Sequence, residues 1–189
     1  AICVDANQGW INASVALQKA EQLKNLHVAF IEQPLPADDW QGMQQLKQQI
    51  AFILIADESF QTIGDLKQIM DCFHGVNVKL MKCGGISKAF DIVKSARQLN
   101  AKLLLGCMSE SSCGIATAVA IQQLFDWVDL DGPLLINNNP FAGVRYNEGK
   151  ILYVLDGFFR KNHFKKSMAL LLPQLKKYRL IAYVKKGRL

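Results

Sequence analysis

The chain has 189 residues, half of them hydrophobic and 20% charged, with a formal net charge of +6. This supports one well-buried domain and excludes a disordered or low-complexity protein. No run of eighteen uncharged apolar residues and no basic-then-apolar leader is found, so the expectation is a soluble, cytoplasmic protein with no membrane partner.

The charge is placed unevenly. From Arg160 onward there are ten Lys or Arg and no acid, leaving residues 1–159 with a net charge of −4. A mildly acidic body excludes nucleic acid as its partner and confines any contact with a polyanion to the basic end. The cysteines, Cys3, Cys72, Cys83, Cys107 and Cys113, are odd in number and scattered, and read as free buried thiols.

In chain order, the periodicity predicts strands over 2–4, 29–31, 52–56, 76–80, 102–105 and 127–130. The helices between them fall over 13–26, 38–49, 63–73, 87–99 and 114–125, several opened by Asn, Asp, Thr or Ser. Near-continuous apolar strands alternating with helices imply a parallel sheet covered by helices. Asp5, Glu32, Asp57 and Lys79 stand at the carboxyl ends of four successive strands, 27, 25 and 22 residues apart. One ionisable group per strand end is what the mouth of a (β/α)8 barrel gathers, whereas an open sheet places its ligand at a single crevice. The fold expected is therefore a partial TIM barrel of about six βα units.

Three carboxylates aimed at one point repel unless a cation sits among them. Oxygen donors without His or Cys select Mg2+, with Mn2+ as the alternative, and leave positions open for a substrate oxygen. Taken singly, each acid also reads as a helix cap or a surface charge. Lys79 lies in apolar Val76-Asn77-Val78-Lys79-Leu80, where burial is expected to lower its pKa toward a base's, and it also reads as a lysine reaching to solvent. Lys82, just before Gly84-Gly85, reads as a solvated loop lysine. Asp129 and Asp131 flank Leu130 and share one face of a strand by its two-residue period, suiting a cationic substrate group or a solvated acidic turn.

Those residues carry a resemblance. Ile2-Cys3-Val4 followed by Asp5-Ala6-Asn7-Gln8-Gly9-Trp10, then Ile31-Glu32-Gln33-Pro34-Leu35-Pro36, then Ile55-Ala56-Asp57-Glu58-Ser59, resemble in order and spacing the three metal-ligand motifs of the enolase superfamily. Asn77 to Ile86 resembles the strand bearing that family's catalytic lysine, which maps to Lys79. Asp129-Leu130-Asp131-Gly132-Pro133 is most similar to the dipeptide epimerases, in which two aspartates hold the substrate's α-ammonium group. Gly106 to Glu110 resembles their seventh-strand loop, carrying Cys107, Met108 and Ser109 over as substrate contacts. The resemblance covers roughly 1–155.

It implies an isomerase that abstracts a proton α to a carboxylate, with Mg2+ on Asp5, Glu32 and Asp57, Lys79 as acid/base, and a dipeptide such as L-Ala-D/L-Glu as substrate. A possible homo-oligomer is the only macromolecular partner foreseen. o-Succinylbenzoate synthase and muconate cycloisomerase share the triad and the lysine, and Asp129 with Asp131 separates them because their substrates carry no free α-ammonium. A catalytically silent homologue is the alternative of a different class. The family's opposite-face lysine, first two strands and capping domain are expected to lie upstream of residue 1. The partial barrel is expected to occupy 1–157. The basic, apolar 158–189 resembles nothing in the family and reads as sequence continued past a disrupted gene end rather than as a covering helix.

Overall fold

A computed structural model describes residues 2–141, 144–147 and 150–153. The expected boundary at 157 and the basic tail lie outside these residues. The chain divides into two compact units, Ala1–Leu104 and Leu105–Leu189.

The strands are β1 (Ile2–Asp5), β2 (Val28–Glu32), β3 (Ile53–Ala56), β4 (Gly75–Lys79), β5 (Lys102–Gly106) and β6 (Trp127–Val128), and they lie in one sheet in their sequence order. A doubly wound sheet reverses strand order at a switch point, and this succession has no reversal, as a barrel's repeating βα units require. Pairing is parallel from β1 through β4. Asp5 is the partner of Glu32, Glu32 of Ile55, and Ala56 of Val76. That register brings Asp5 and Glu32 out at the same end of the sheet, with Asp57 directly after β3.

Helices α1 (Ala13–Leu23), α2 (Trp40–Gln49), α3 (Leu66–Cys72), α4 (Leu80–Cys83), α5 (Ile86–Gln98) and α6 (Ser112–Val119) fill the connections. Each longer helix buries a stripe at helical spacing, Ala13, Ala16 and Ala20 on α1 and Ala89, Ile92, Val93 and Ala96 on α5. Strand residues Phe30, Ile31, Leu54, Ile55, Val76 and Val78 are buried from both faces of the sheet, which explains their unbroken apolar runs. Two caps act as the sequence suggests. Asn12 accepts from Val15 N at 2.9 Å, and Asp39 accepts from Gly42 N at 2.9 Å.

Several elements differ from expectation. The predicted helix over 63–73 is a 3-10 turn (Ile63–Asp65) running into α3, because Asp65 turns back to accept from Gln61 N and Thr62 N. The segment after β4 is not a plain loop, since Leu80–Cys83 makes the short α4. Gly84 and Gly85, at φ +89° and +102°, then turn the chain into α5 through left-handed backbone that a side chain disfavours. The helix predicted over 114–125 is α6, begun earlier at Ser112, followed by a 3-10 turn (Gln122–Leu124). In the second unit β6 stops at Val128, and an antiparallel hairpin, β7 (Val144–Asn147) with β8 (Lys150–Tyr153), has no counterpart among the predicted strands. Among the described residues no helix is long and apolar enough to cross a membrane.

Candidate active site

In the first unit, the ends of β1 to β4 carry the predicted site. Asp5 accepts from its own turn, Asn7 N at 2.9 Å and Asn7 Nδ2 at 2.6 Å. Glu32, 5% exposed, accepts from Asn77 Nδ2 at 2.6 Å across to β4. Burial, then the charge of Asp5, pushes Glu32 up to about 8. The Asn77 hydrogen bond opposes this, Asp57 adds to it and Lys79 opposes it. The Asp57 carboxylate is gripped on both oxygens, Oδ2 by Lys79 Nζ at 2.5 Å and Oδ1 by Lys82 Nζ at 2.7 Å, with Lys82 also donating to the Asp57 carbonyl at 2.6 Å.

Two expectations change on this geometry. Lys82 is not a solvated loop lysine, because α4 carries it back onto Asp57. Lys79 does not have a lowered pKa. Burial pulls it down, but the hydrogen bond and charge of Asp57, with Glu32 and Glu58, outweigh that and raise it above the ordinary lysine range. Glu58 is itself raised, by burial first and by Asp57 and Asp5 next, and its Oε2 is buried without a hydrogen-bond partner. Asp5 is the register partner of Glu32, and Asp57 follows directly on β3. Each of the three carboxylates accepts from an amide or an ammonium, and among the described residues no group of three His, Cys, Asp or Glu is drawn together.

Sequence reading gave Gln33 no role, although it sits inside the Glu32 motif. It is fully buried at φ +33°, a conformation uncommon for a residue with a side chain. Its Oε1 accepts from Asp57 N at 3.0 Å and Ser59 N at 3.1 Å, while its Nε2 donates to Ser59 Oγ at 2.8 Å and Leu35 O at 3.0 Å. Gln33 thus ties the ends of β2 and β3 together and fixes the backbone of Asp57. Gln33→Ala is expected to cost about 2–4 kcal/mol in urea unfolding, because it strands two buried amide donors. A loss under 0.5 kcal/mol would contradict this role.

In the second unit, β5 leads into Cys107, Met108 and Ser109, of which Met108 and Ser109 are exposed and Cys107 is half-buried. Cys107 Sγ accepts from Gly132 N at 3.3 Å, and Met108 N donates to Glu110 Oε1 at 3.2 Å. The strand-period argument for Asp129 and Asp131 does not hold, since β6 ends before them and Asp131 has helical backbone (φ −86°, ψ −1°), capping a 3-10 turn (Gly132–Leu135). Both aspartates still bear on one place. Burial chiefly, and then Asp129, Asp131 and Glu110, push the Cys107 thiol up to about 12, against the Gly132 hydrogen bond. At pH 8 that leaves about a thousandfold less thiolate than an ordinary cysteine has. Cys107 is therefore expected to resist iodoacetamide at pH 8 in the folded chain, which peptide mapping checks; labelling as fast as in urea would contradict it. All five cysteines are free as expected, but only Cys72 is fully buried.

The enolase C-terminal domain-like family model matches residues 1–129. Among curated relatives, the chain is 41% identical over 150 residues to the L-Ala-D/L-Glu epimerase of Bacteroides thetaiotaomicron, covering 79% of this chain and 39% of the relative. It is 40% identical over 151 residues to the L-Ala-D/L-amino acid epimerase of a Maribacter species, covering 79% and 44%. The chain thus spans about two fifths of the length of these relatives. Among solved structures, a substrate-liganded L-Ala-D/L-Glu epimerase from Bacillus subtilis matches with a TM-score of 0.72 at 29% identity, over 80% of this chain and 44% of that one. An enolase family member from Agrobacterium tumefaciens with homology to dipeptide epimerases, solved with sodium and L-Ala-L-Glu, matches with a TM-score of 0.72 at 34% identity, over 80% and 45%. With the family model spanning most of the chain and the strands running in barrel order, the chain belongs to the enolase C-terminal domain-like family and carries part of its (β/α)8 barrel.

Proposed function

We propose that this chain is the metal-binding and proton-transferring part of a dipeptide epimerase that takes a proton from carbon α to a carboxylate. The observation that carries the reading is the alignment of Asp5, Glu32 and Asp57 at one end of three adjacent parallel strands, with Lys79 on the next.

The donor set fits a hard divalent ion, Mg2+ or Mn2+. It is all oxygen, and the Glu32 carboxylate is raised by burial first and then by Asp5 and Asp57, whose repulsion a cation would relieve. Asp5, Glu32 and Asp57 would hold it, with Asp57 sharing or releasing an ammonium contact. When bound, such an ion supplies Lewis-acid stabilisation of the negative charge that develops on the substrate carboxylate.

The chain's own residues do the rest. Asn77 orients Glu32, Gln33 fixes the Asp57 backbone, and Lys82 anchors the Asp57 carboxylate. Lys79 Nζ takes or returns the proton on one face of the α-carbon. In the second unit Asp129 and Asp131 pair the α-ammonium group, and Cys107, Met108 and Ser109 belong to the loop that contacts the dipeptide.

The test is solvent exchange. Incubating the full chain with L-Ala-L-Glu and Mg2+ in D2O is expected to place deuterium on the α-carbon of the glutamate residue, read by proton NMR. Absence of incorporation with a dipeptide demonstrably bound would defeat the reading.

A further inference from the structure

We propose that Tyr146, on the unforeseen hairpin, is a positioning residue that fixes the turn Asp129-Leu130-Asp131 for a substrate ammonium group. The inference rests on the reading of Asp129 and Asp131 as the ammonium acceptors. All the residues involved lie in the second unit.

β6 ends at Val128 and Asp129 N still donates to Leu105 O at 2.9 Å, so the turn beyond takes its anchor from other segments. Asp129, Asp131 and Glu110 all lie near enough to Cys107 and Tyr146 to act on both. Tyr146 supplies the anchor. Its hydroxyl donates to the Leu130 carbonyl at 2.5 Å, at the backbone unit between the two aspartates, and Leu130 itself is 2% exposed. β7 holds the ring in place by pairing Tyr146 with Ile151, which is buried.

The other side of the turn is clamped by the loop after β5. Gly132 N donates to Cys107 Sγ, and a Cβ on Gly132 would lie 2.3 Å from the Met108 carbonyl oxygen. The backbone around the two acids is thus held at Leu130 and at Gly132 by groups from two different segments. Burial first, and then Cys107, Asp131, Asp129 and Glu110, keep the Tyr146 phenol protonated, so its donor role persists across neutral pH. Tyrosine suits this place because phenylalanine has the same ring and no donor, leaving a buried carbonyl unmatched.

Tyr146→Phe tests the assignment in the full chain through two readouts. Amide hydrogen exchange over 129–134 is expected to speed up about tenfold, with α5 unchanged as the control for folding. Calorimetric binding with Mg2+ present compares L-Ala-L-Glu with N-acetyl-L-Ala-L-Glu, which lacks the ammonium. The wild type is expected to prefer the free dipeptide, and the variant to lose about five- to tenfold of that preference while its affinity for the acetylated one holds. Unchanged exchange over 129–134, or equal weakening of both dipeptides, overturns the proposal. A wild-type chain that binds both dipeptides alike overturns the ammonium reading, and the positioning role falls with it.

Discussion

Lys79→Ala is expected to lower deuterium incorporation into a bound dipeptide by about 10²–10⁴-fold, the usual contribution of a positioned acid or base. Lys79 and Lys82 each hold one oxygen of Asp57, so either could pass for a structural partner. Lys79→Arg separates the roles, since it keeps a cation beside Asp57 but cannot give up its proton at working pH. If Arg restores stability without restoring exchange, Lys79 moves the proton. If Arg restores exchange, Lys79 is only a clamp.

The second large effect is on stability. Glu32 has its folded pKa at about 8 against an ordinary 4.5, chiefly through burial. For a carboxyl raised on folding, the native state binds the extra proton between these values, so this group's contribution to stability is greatest below about 4.5 and is lost as pH rises toward 8. The span corresponds to a loss on the order of 5 kcal/mol. Glu32→Gln keeps an oxygen for Asn77 Nδ2 to meet and removes the charge. Urea unfolding at pH 5 and pH 8 in EDTA is expected to show a steep loss for the wild type and a much flatter profile for the variant. Matching slopes would place the pH sensitivity elsewhere. Mg2+ at pH 8 is expected to recover stability in the wild type alone.

The βα succession was legible because fully buried strands leave unbroken apolar runs, and Phe30-Ile31 and Leu54-Ile55 are of that kind. Glu32 and Asp57 were legible for a related reason, as each follows directly on such a run, while Asp5 and Lys79 were legible as the single charged residue closing a short β-branched strand. Lys82 was misread because a lysine beside two glycines looks solvated, and only the four-residue α4 turns it inward. Gln33 escaped notice because four hydrogen bonds from one amide side chain leave no spacing signal. Tyr146 escaped for another reason, since β7 alternates buried Val144 with exposed Arg145 over only four residues, too short a run to stand out. The strand-face argument for Asp129 and Asp131 failed because a proline-containing 3-10 turn ends the strand early.

Binding of Mn2+ to the full chain, followed by the loss of the free-ion paramagnetic resonance signal, tests the shared cation most directly. One ion per chain is expected, displaced by Mg2+, with Asp5→Asn, Glu32→Gln and Asp57→Asn each weakening it by tenfold or more, roughly the worth of one charged ligand. Saturable binding that all three substitutions leave untouched, or no saturable binding at all, would contradict a cation held jointly by these three carboxylates.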